Sequence, residues 1–132
     1  IYSDARLKDI QGTFDKGLKE IEALTPIVFS YKKDNALNLP SDKSAYGFSA
    51  QEVQKVIPEA VRADSSGYLT VNNDPIILAM FNAIKELKAE NDQLRRRVEA
   101  LEKSGSTAHA LIELDSHKFS LPNSALQAGF FF

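Results

Sequence analysis

An apolar repeat of about four heptads constrains the fold more than any other feature of the sequence. Apolar residues recur seven apart at two heptad positions, with one asparagine among them. Position a holds Ile77, Ile84, Asn91 and Val98, and position d holds Met80, Leu87, Leu94 and Leu101. An apolar period of 3.5 residues is typical of helices that supercoil around one another. We therefore predict a parallel coiled coil over residues 75–103, and we call these a and d side chains the a/d stripe.

Both ends of this helix carry recognisable signals. Asp74 is a favourable N-cap, and Pro75 suits the first helical position, where no N–H is required. Gly105 is expected to end the helix. Phe81, at position e, widens the apolar face in the N-terminal half of the helix. We expect that half to pack against the body of the domain as well.

Charged residues beside the a/d stripe favour parallel chains. Glu90 at position g precedes Arg95 at position e by five residues, and Arg97 precedes Glu102 in the same way. In a parallel coiled coil each such pair brings opposite charges together across two chains. Isoleucine at a, leucine at d and a single asparagine at a leave a dimer and a trimer at near equal odds.

Composition excludes several classes of function. The 132 residues, 43% hydrophobic and 26% charged, suit one soluble domain with one sizeable core. A net charge of −2 gives no reason to expect a nucleic-acid partner, and no apolar run reaches the roughly 18 residues of a membrane span. The absence of cysteine excludes disulfides and thiol catalysis. The chain opens on Ile1-Tyr2 without methionine, and we expect it to be part of a longer polypeptide.

Two further polar features predict no site. His109 and His117 are too far apart for a helical pair and have no thiolate partners, so no metal is expected. The basic run Arg95–Arg97 has acidic neighbours, which is typical of a solvated coiled-coil flank. We expect no cofactor.

The residues before the long helix predict a small α+β body. Residues 1–12 form an irregular or extended segment, and Thr13 is the expected N-cap of a helix that ends at Leu24. A β-branched and aromatic run predicts a strand over residues 27–31. The polar stretch 34–44 predicts a protruding loop arm.

A second helix and a hairpin complete this body. Residues 50–57 predict a short helix that ends near Pro58, and residues 60–71 predict a hairpin that turns at Gly67. The predicted fold is thus α+β: a small mixed helix and strand body with a protruding loop arm, followed by a long helix.

We divide the chain into three parts: residues 1–74, the coiled coil 75–103, and a tail 104–132 that packs back on the oligomer. Residues 110–114 in the tail predict a strand or a helical turn. The chain closes on Phe130, Phe131 and Phe132. Burial of each phenylalanine gains roughly 1.5–3 kcal/mol, so we expect this cluster to be docked rather than solvated.

The N-terminus carries a serine and a lysine that are suited to covalent chemistry. Ser3 lies five residues before Lys8. A serine hydroxyl becomes nucleophilic when a base takes its proton, and a lysine is such a base when burial disfavours its ammonium form. The spacing alone is weak, because both residue types are common. Its context is the segment Tyr-Gly-Phe-Ser-Ala-Gln-Glu-Val at residues 46–53 and the heptad helix that follows.

These three elements, in this order, resemble the self-cleaving intramolecular chaperones of phage tailspikes and tail fibres, the endosialidase chaperone or S74 peptidase family. The resemblance covers residues 3–103. The family pattern Ser-Asp-x-Arg-x-Lys is matched at residues 3–8, and Gly-Phe-x-Ala-Gln-Glu-Val is matched at residues 47–53. The resemblance implies that Ser3 is the nucleophile, that Lys8 is its base, and that the domain forms a homotrimer.

The same resemblance suggests supporting residues with two possible roles. Asp4 and Arg6 either orient the reacting groups or form a salt-linked pair that fixes the N-terminal segment, and we favour the second role. Gly47, Gln51 and Glu52 either belong to a strand-to-helix corner, which we favour, or have a supporting role. For Gln51 and Glu52 that role would be at the active site or in an inter-subunit contact. For Gly47 we expect a need for backbone freedom.

Ring size favours one of the two bonds beside Ser3. Attack by Ser3 Oγ on its own carbonyl would close a four-membered ring, whereas attack on the carbonyl of Tyr2 closes a five-membered ring. We therefore predict cleavage between Tyr2 and Ser3, while cleavage on the other side of Ser3 through a neighbouring chain stays open.

The function implied by the resemblance is that of a chaperone for a β-rich phage fibre. It would trimerise in the host cytoplasm during phage assembly, hold the upstream fibre segment of the same polypeptide in register, and leave the virion fibre after cleavage. No nucleic acid or membrane is expected as a partner. The main alternative is a non-catalytic trimerisation or adhesion module. A second alternative is the similar chaperone of eukaryotic membrane-bound transcription factors.

Overall fold

The computed structural model describes residues 1–118, with side chains through residue 116. Two compact units divide this part of the chain, one over Ile1–Lys88 and a second that begins at Ala89. The first unit contains short helices and strands, and the second is helical. The predicted α+β class, a small mixed body followed by a long helix, is confirmed.

The first helix, α1, covers Leu18–Ala23 and is shorter than predicted. The prediction that it begins after Thr13 is wrong, because two carboxylates cap the chain at Gly17. Glu20 Oε2 accepts the Gly17 N–H and Glu86 Oε2 accepts the Leu18 N–H, each at 2.8 Å. These bonds satisfy N–H groups that a helix start leaves without a partner. The hydrogen bond from Gly17 lowers the pKa of Glu20 below its ordinary value of 4.5.

A hairpin with a long connection follows α1. Strands β1 (Ile27–Phe29) and β2 (Ala45–Gly47) are antiparallel. The strand predicted over residues 27–31 is present but ends two residues early, and the connection over residues 30–44 contains the predicted loop. Asn35 stabilises the turn in this connection. Its Nδ2 donates to the carbonyls of Lys32 and Leu39, and its Oδ1 accepts the Leu39 N–H, each at 2.8 Å.

A helix and a second hairpin complete the first unit as predicted. Helix α2 covers Ala50–Val56, and strands β3 (Val61–Ala63) and β4 (Leu69–Val71) form a separate antiparallel pair. The turn between them needs glycine, because Gly67 has φ +83° in the left-handed region.

The long helix α3 covers Asn73–Lys118. The predicted N-cap at Asp74 is wrong, because Asn72 Oδ1 accepts the Asp74 N–H at 3.1 Å and so caps the helix two residues earlier. Pro75 is then the third helical residue. It lies within the first turn, where a missing N–H removes no intrahelical bond.

The predicted end of this helix at Gly105 is also wrong. A glycine inside a helix costs about 1 kcal/mol, and the alanines and leucine that follow it are good helix formers. Thr107 Oγ1 also donates to the Lys103 carbonyl at 2.9 Å, a bond within the continuing helix. Residues 110–114, predicted as a strand or a helical turn, are helical. Phe130, Phe131 and Phe132 lie outside the described residues.

The core of the first unit lies between α2, the second hairpin and one face of α3. Val53 and Ile57 have no exposed surface. The other buried members are Leu24, Ala60, Val61, Ile76 and Ala79. Phe14 packs against this cluster from a non-helical segment.

The N-terminal half of α3 packs against the body, as predicted, but through a different face. Ile76, Ala79 and Ala83 are its buried residues, at heptad positions g, c and g. Phe81, which was expected to widen the packed face, is 58% exposed. Positions g and c lie on the flank of the helix next to d, so packing on the body covers that flank and leaves the a/d stripe itself exposed.

Candidate functional site

The serine and lysine singled out in the sequence are in hydrogen-bond contact. Lys8 Nζ donates to Ser3 Oγ at 2.7 Å. A 3-10 turn over Ala5–Leu7 brings the two side chains together, because its bonds from Leu7 N–H to Asp4 O and from Lys8 N–H to Ala5 O fold the chain back. The same 2.7 Å separation between nitrogen and oxygen also suits the reverse arrangement, in which a serine hydroxyl gives its proton to a neutral lysine amine.

The residues between this serine and lysine form an ion pair. Asp4 caps the 3-10 turn by accepting the Arg6 N–H at 2.9 Å, and the Arg6 guanidinium donates to both Asp4 oxygens, the shortest bond being 2.6 Å. These hydrogen bonds from the Arg6 side chain and backbone lower the pKa of Asp4 below its ordinary value of 3.8. The pair therefore fixes the turn on which Ser3 and Lys8 stand.

The N-terminal segment, residues 1–12, is exposed throughout. Tyr2 is 93% exposed, so the bond between Tyr2 and Ser3 is accessible in the isolated chain. Leu7 and Ile10 are also largely exposed, although such apolar side chains gain free energy on burial. Ser3 and Lys8 are thus in contact, but the single chain does not shield them from water.

Two polar residues of α3 attach the segment that follows to the body. Asn82 Nδ2 donates to the carbonyls of Phe14 and Lys16, each at 2.8 Å, and Glu86 accepts the Leu18 N–H. Sequence reasoning missed both, because polar residues at outer heptad positions are ordinarily solvated. A signal was available in the sequence: Asn82 and Glu86 lie on the same side of the helix as the small residue Ala83, which allows close packing there.

The motif at residues 47–53 forms the predicted strand-to-helix corner. Gly47 ends β2, and Phe48 packs against the core. Gly47 does not have a positive φ, so the expectation that it supplies backbone freedom is wrong. Gln51 accepts a hydrogen bond from Ser49 Oγ at 3.2 Å, and Glu52 pairs with Lys55 at 2.7 Å. In the single chain, Gln51 and Glu52 make these contacts at the surface of α2, and neither contact involves Ser3.

The a/d stripe is exposed along its length. Its apolar members are between 50% and 71% exposed, and Asn91 is exposed as well. They stay exposed although the g and c face of the same helix packs on the body. A stripe of this kind is an unusual apolar surface for a soluble chain and marks an interaction site.

The described residues contain neither a cluster of metal-ligand side chains nor a membrane-spanning helix. Among the side chains described, which end at residue 116, acidic and histidine residues form no cluster of three or more that could hold a metal ion. His109 instead lies 3.2 Å from Glu113, one helical turn away. None of the described helices has both the length and the apolarity to cross a membrane.

Comparison with known proteins places these features in a family. Residues 3–62 match the S74 peptidase family model, described as chaperone of endosialidase. The chain is 32% identical over 102 residues to the long tail fiber protein Gp37 of Enterobacteria phage K3, and equally to that of Enterobacteria phage T2. The match spans 74% of this chain and 8% of the length of each relative. On this family match, which begins at Ser3, and on these two relatives, the chain belongs to the chaperone-of-endosialidase family.

Proposed function

We propose that this chain is the chaperone domain of a phage tail fibre, which assembles through the a/d stripe and then releases itself by cutting beside Ser3. The observation that carries the proposal is the 2.7 Å contact between Lys8 Nζ and Ser3 Oγ, at the residue where the family match begins. The tail fiber relatives support a fibre as the client. The exposed stripe supports self-assembly.

The proposed reaction is an intramolecular acyl transfer followed by hydrolysis. Neutral Lys8 takes the hydroxyl proton of Ser3 while Ser3 Oγ attacks the carbonyl carbon of Tyr2 through a five-membered ring. The peptide C–N bond breaks, and the leaving amine of Ser3 takes the proton from Lys8. Water then hydrolyses the ester between Tyr2 and Ser3, which leaves a carboxylate on Tyr2 and a free amine on Ser3.

Assembly supplies what the isolated chain lacks. A lysine in water is almost wholly protonated at neutral pH, and only desolvation makes its neutral form common. The N-terminal segment is exposed in one chain. Burial of Leu7 and Ile10 against neighbouring chains would also desolvate Lys8 between them. Cleavage in this account therefore waits for assembly.

A physical reason for such an order lies in how a fibre folds. Three chains that must pair over long sequence separations face a large entropic cost of nucleation. A trimeric domain raises the local concentration of the chains and fixes their register. After cleavage the fibre no longer has the template it folded on, so it is stabilised kinetically. We place this sequence of events in the host cytoplasm during phage assembly, with the released domain absent from the virion fibre.

A non-catalytic assembly module is the second candidate. It is favoured by one observation, namely that Ser3 and Lys8 are both exposed in the single chain. Their contact would then be a surface hydrogen bond that helps the Asp4–Arg6 pair fix the turn. This candidate predicts assembly without cleavage and free replacement of Ser3.

The two candidates separate in one experiment. The chain is expressed behind a natural upstream fibre segment as wild type, Ser3→Ala and Lys8→Ala, with Ser44→Ala and Lys33→Ala as matched controls from the loop before β2. We expect the wild type and both controls to split on denaturing gels, and both dyad variants to stay whole while still forming trimers by sedimentation. Cleavage of all five proteins alike, or of none, would favour the non-catalytic module.

A further inference from the structure

An open apolar groove lies between the first hairpin and the start of α3. Its volume is about 430 Å³. The hairpin contributes Ile27, Val28 and Tyr46, the residue after it contributes Phe48, and the helix contributes Ile76, Ile77 and Met80. Val28 and Tyr46, which pair across the strands, are 65% and 81% exposed. Such a cluster of uncovered apolar side chains favours an occupant over water.

Heptad positions locate the groove relative to the a/d stripe. Ile77 and Met80 belong to the stripe at positions a and d, and Ile76 is at position g. On a helix, g lies beside d, whereas e lies beside a on the opposite flank. The groove therefore opens on the g flank of the stripe.

The rule for parallel coiled coils names a residue that would meet this flank. A residue at g faces the residue at e five positions later on the neighbouring chain. Residue 76 is at g, so the residue of a second copy that comes to this flank is Phe81. Ile76 itself packs on its own core, and Phe81 would meet the exposed side chains of the groove beside it. Farther along the helix the same spacing pairs Glu90 with Arg95 and Arg97 with Glu102, so opposite charges support the same register.

Phe81 is suited to this role by its exposure and position. It is 58% exposed, and it stands on the e flank of its own helix, away from its own groove. One contact of its ring is with the Lys85 ammonium, 4.8 Å from the ring centroid. An exposed cation–π contact is worth less than burial of a phenylalanine ring, so docking would be favourable.

We propose that the groove is the socket for Phe81 of a second copy of this chain. Each Phe81 then inserts between the hairpin and α3 of its neighbour, so that the small body as well as the helix forms the contact. This inference rests on the proposed self-assembly, and it adds a specific anchor to it. Because the hairpin carries the loop over residues 30–44, the anchor would also set where that loop stands on the neighbouring chain.

The test is site-specific cross-linking between separately made chains. The protein has no cysteine, so single substitutions introduce unique thiols. Tagged Val28→Cys and untagged Phe81→Cys chains are unfolded together, refolded to mix them, and treated with a short bifunctional maleimide. Leu78→Cys replaces Phe81→Cys in the control, because Leu78 is similarly exposed, at 52%, but stands at outer position b.

We expect a mixed cross-linked product from Val28→Cys with Phe81→Cys, at least about tenfold more abundant than that from the control pair. If the chains co-assemble by sedimentation but the two pairs cross-link equally or not at all, the socket is wrong while self-assembly stands. If no mixed oligomer forms, both the socket and the proposed assembly fail.

A second measurement does not depend on cross-linking chemistry. Phe81→Ala and Leu78→Ala are compared by sedimentation equilibrium of the full chain. We expect Phe81→Ala to raise the concentration for half-assembly about tenfold or more, and Leu78→Ala to change it by less than about threefold. Equal effects of the two substitutions would contradict the socket.

Discussion

The side-chain amide of Asn82 holds the segment before α1 onto the long helix, and its removal should destabilise the first unit measurably. Asn82 Nδ2 donates to the carbonyls of Phe14 and Lys16, each at 2.8 Å, and both bonds are partly buried. A neutral hydrogen bond contributes about 0.5–1.5 kcal/mol net, so loss of two costs about 1–3 kcal/mol. We expect Asn82→Ala to lower the free energy of unfolding by about 2 kcal/mol.

Urea unfolding followed by circular dichroism measures this change, at one fixed protein concentration because self-assembly would make stability concentration-dependent. Gln93→Ala is the matched control, since it truncates an exposed amide on the same helix and should stay within about 0.5 kcal/mol of wild type. A loss below about 0.5 kcal/mol for Asn82→Ala would refute the role given to the amide.

Asn82→Asp sharpens the test through its pH dependence. An ionised carboxylate beside two carbonyl oxygens cannot donate, and the repulsion should raise its pKa in the folded state above the unfolded value. A group whose pKa rises on folding binds more protons in the folded state, so stability increases as the pH falls. We therefore expect this variant to be weakest at neutral pH and to recover part of its loss near pH 4. A flat difference from wild type across that range would contradict the geometry.

Three further predictions follow from the first unit. Gly17→Ala should cost about 1 kcal/mol in urea unfolding, because a Cβ there meets the Glu86 carboxylate that caps α1, and an unchanged midpoint would contradict that cap. Ile57→Val should cost about 0.5–1.5 kcal/mol, because Ile57 is fully buried, and a neutral result would place it outside the core. In an NMR titration, the Asp4 carboxyl should have a pKa below 3.8, and Arg6→Gln should raise it. The turn is therefore expected to persist above that pH and to loosen as the pH falls through the lowered pKa. An Asp4 pKa that does not move in Arg6→Gln would show that the pair does not form.

Local signals predicted much of the body correctly. The strand at Ile27, the helix over Ala50–Val56 and the turn at Gly67 each have residue types whose backbone preference agrees with the final fold. The contact between Ser3 and Lys8 was also within reach of the sequence, because it depends on a turn of only a few residues.

The errors have two physical causes. At Asp74 and Gly105 a local alternative prevailed, namely the Asn72 cap and the helix formers that follow Gly105. At α1 a distant residue decides where the helix begins. Helix α1 begins at Leu18 because Glu86, far along the chain, caps its N-terminus. No residue near Thr13 in the sequence indicates that Glu86 contacts this segment. The groove between the hairpin and α3 likewise exists only once the two have packed together. The proposed chemistry requires burial of the N-terminal segment, and one chain alone leaves that segment exposed.

The most direct test of the central claim is the intact mass of the C-terminal product released from a fusion with a natural upstream segment. Cleavage by Ser3 on the carbonyl of Tyr2 predicts one product that begins at Ser3 with a free amine, formed at a rate that rises with protein concentration and is absent in Lys8→Ala. A product that begins at any other residue, or one formed equally by Lys8→Ala, would contradict the Ser3 and Lys8 chemistry.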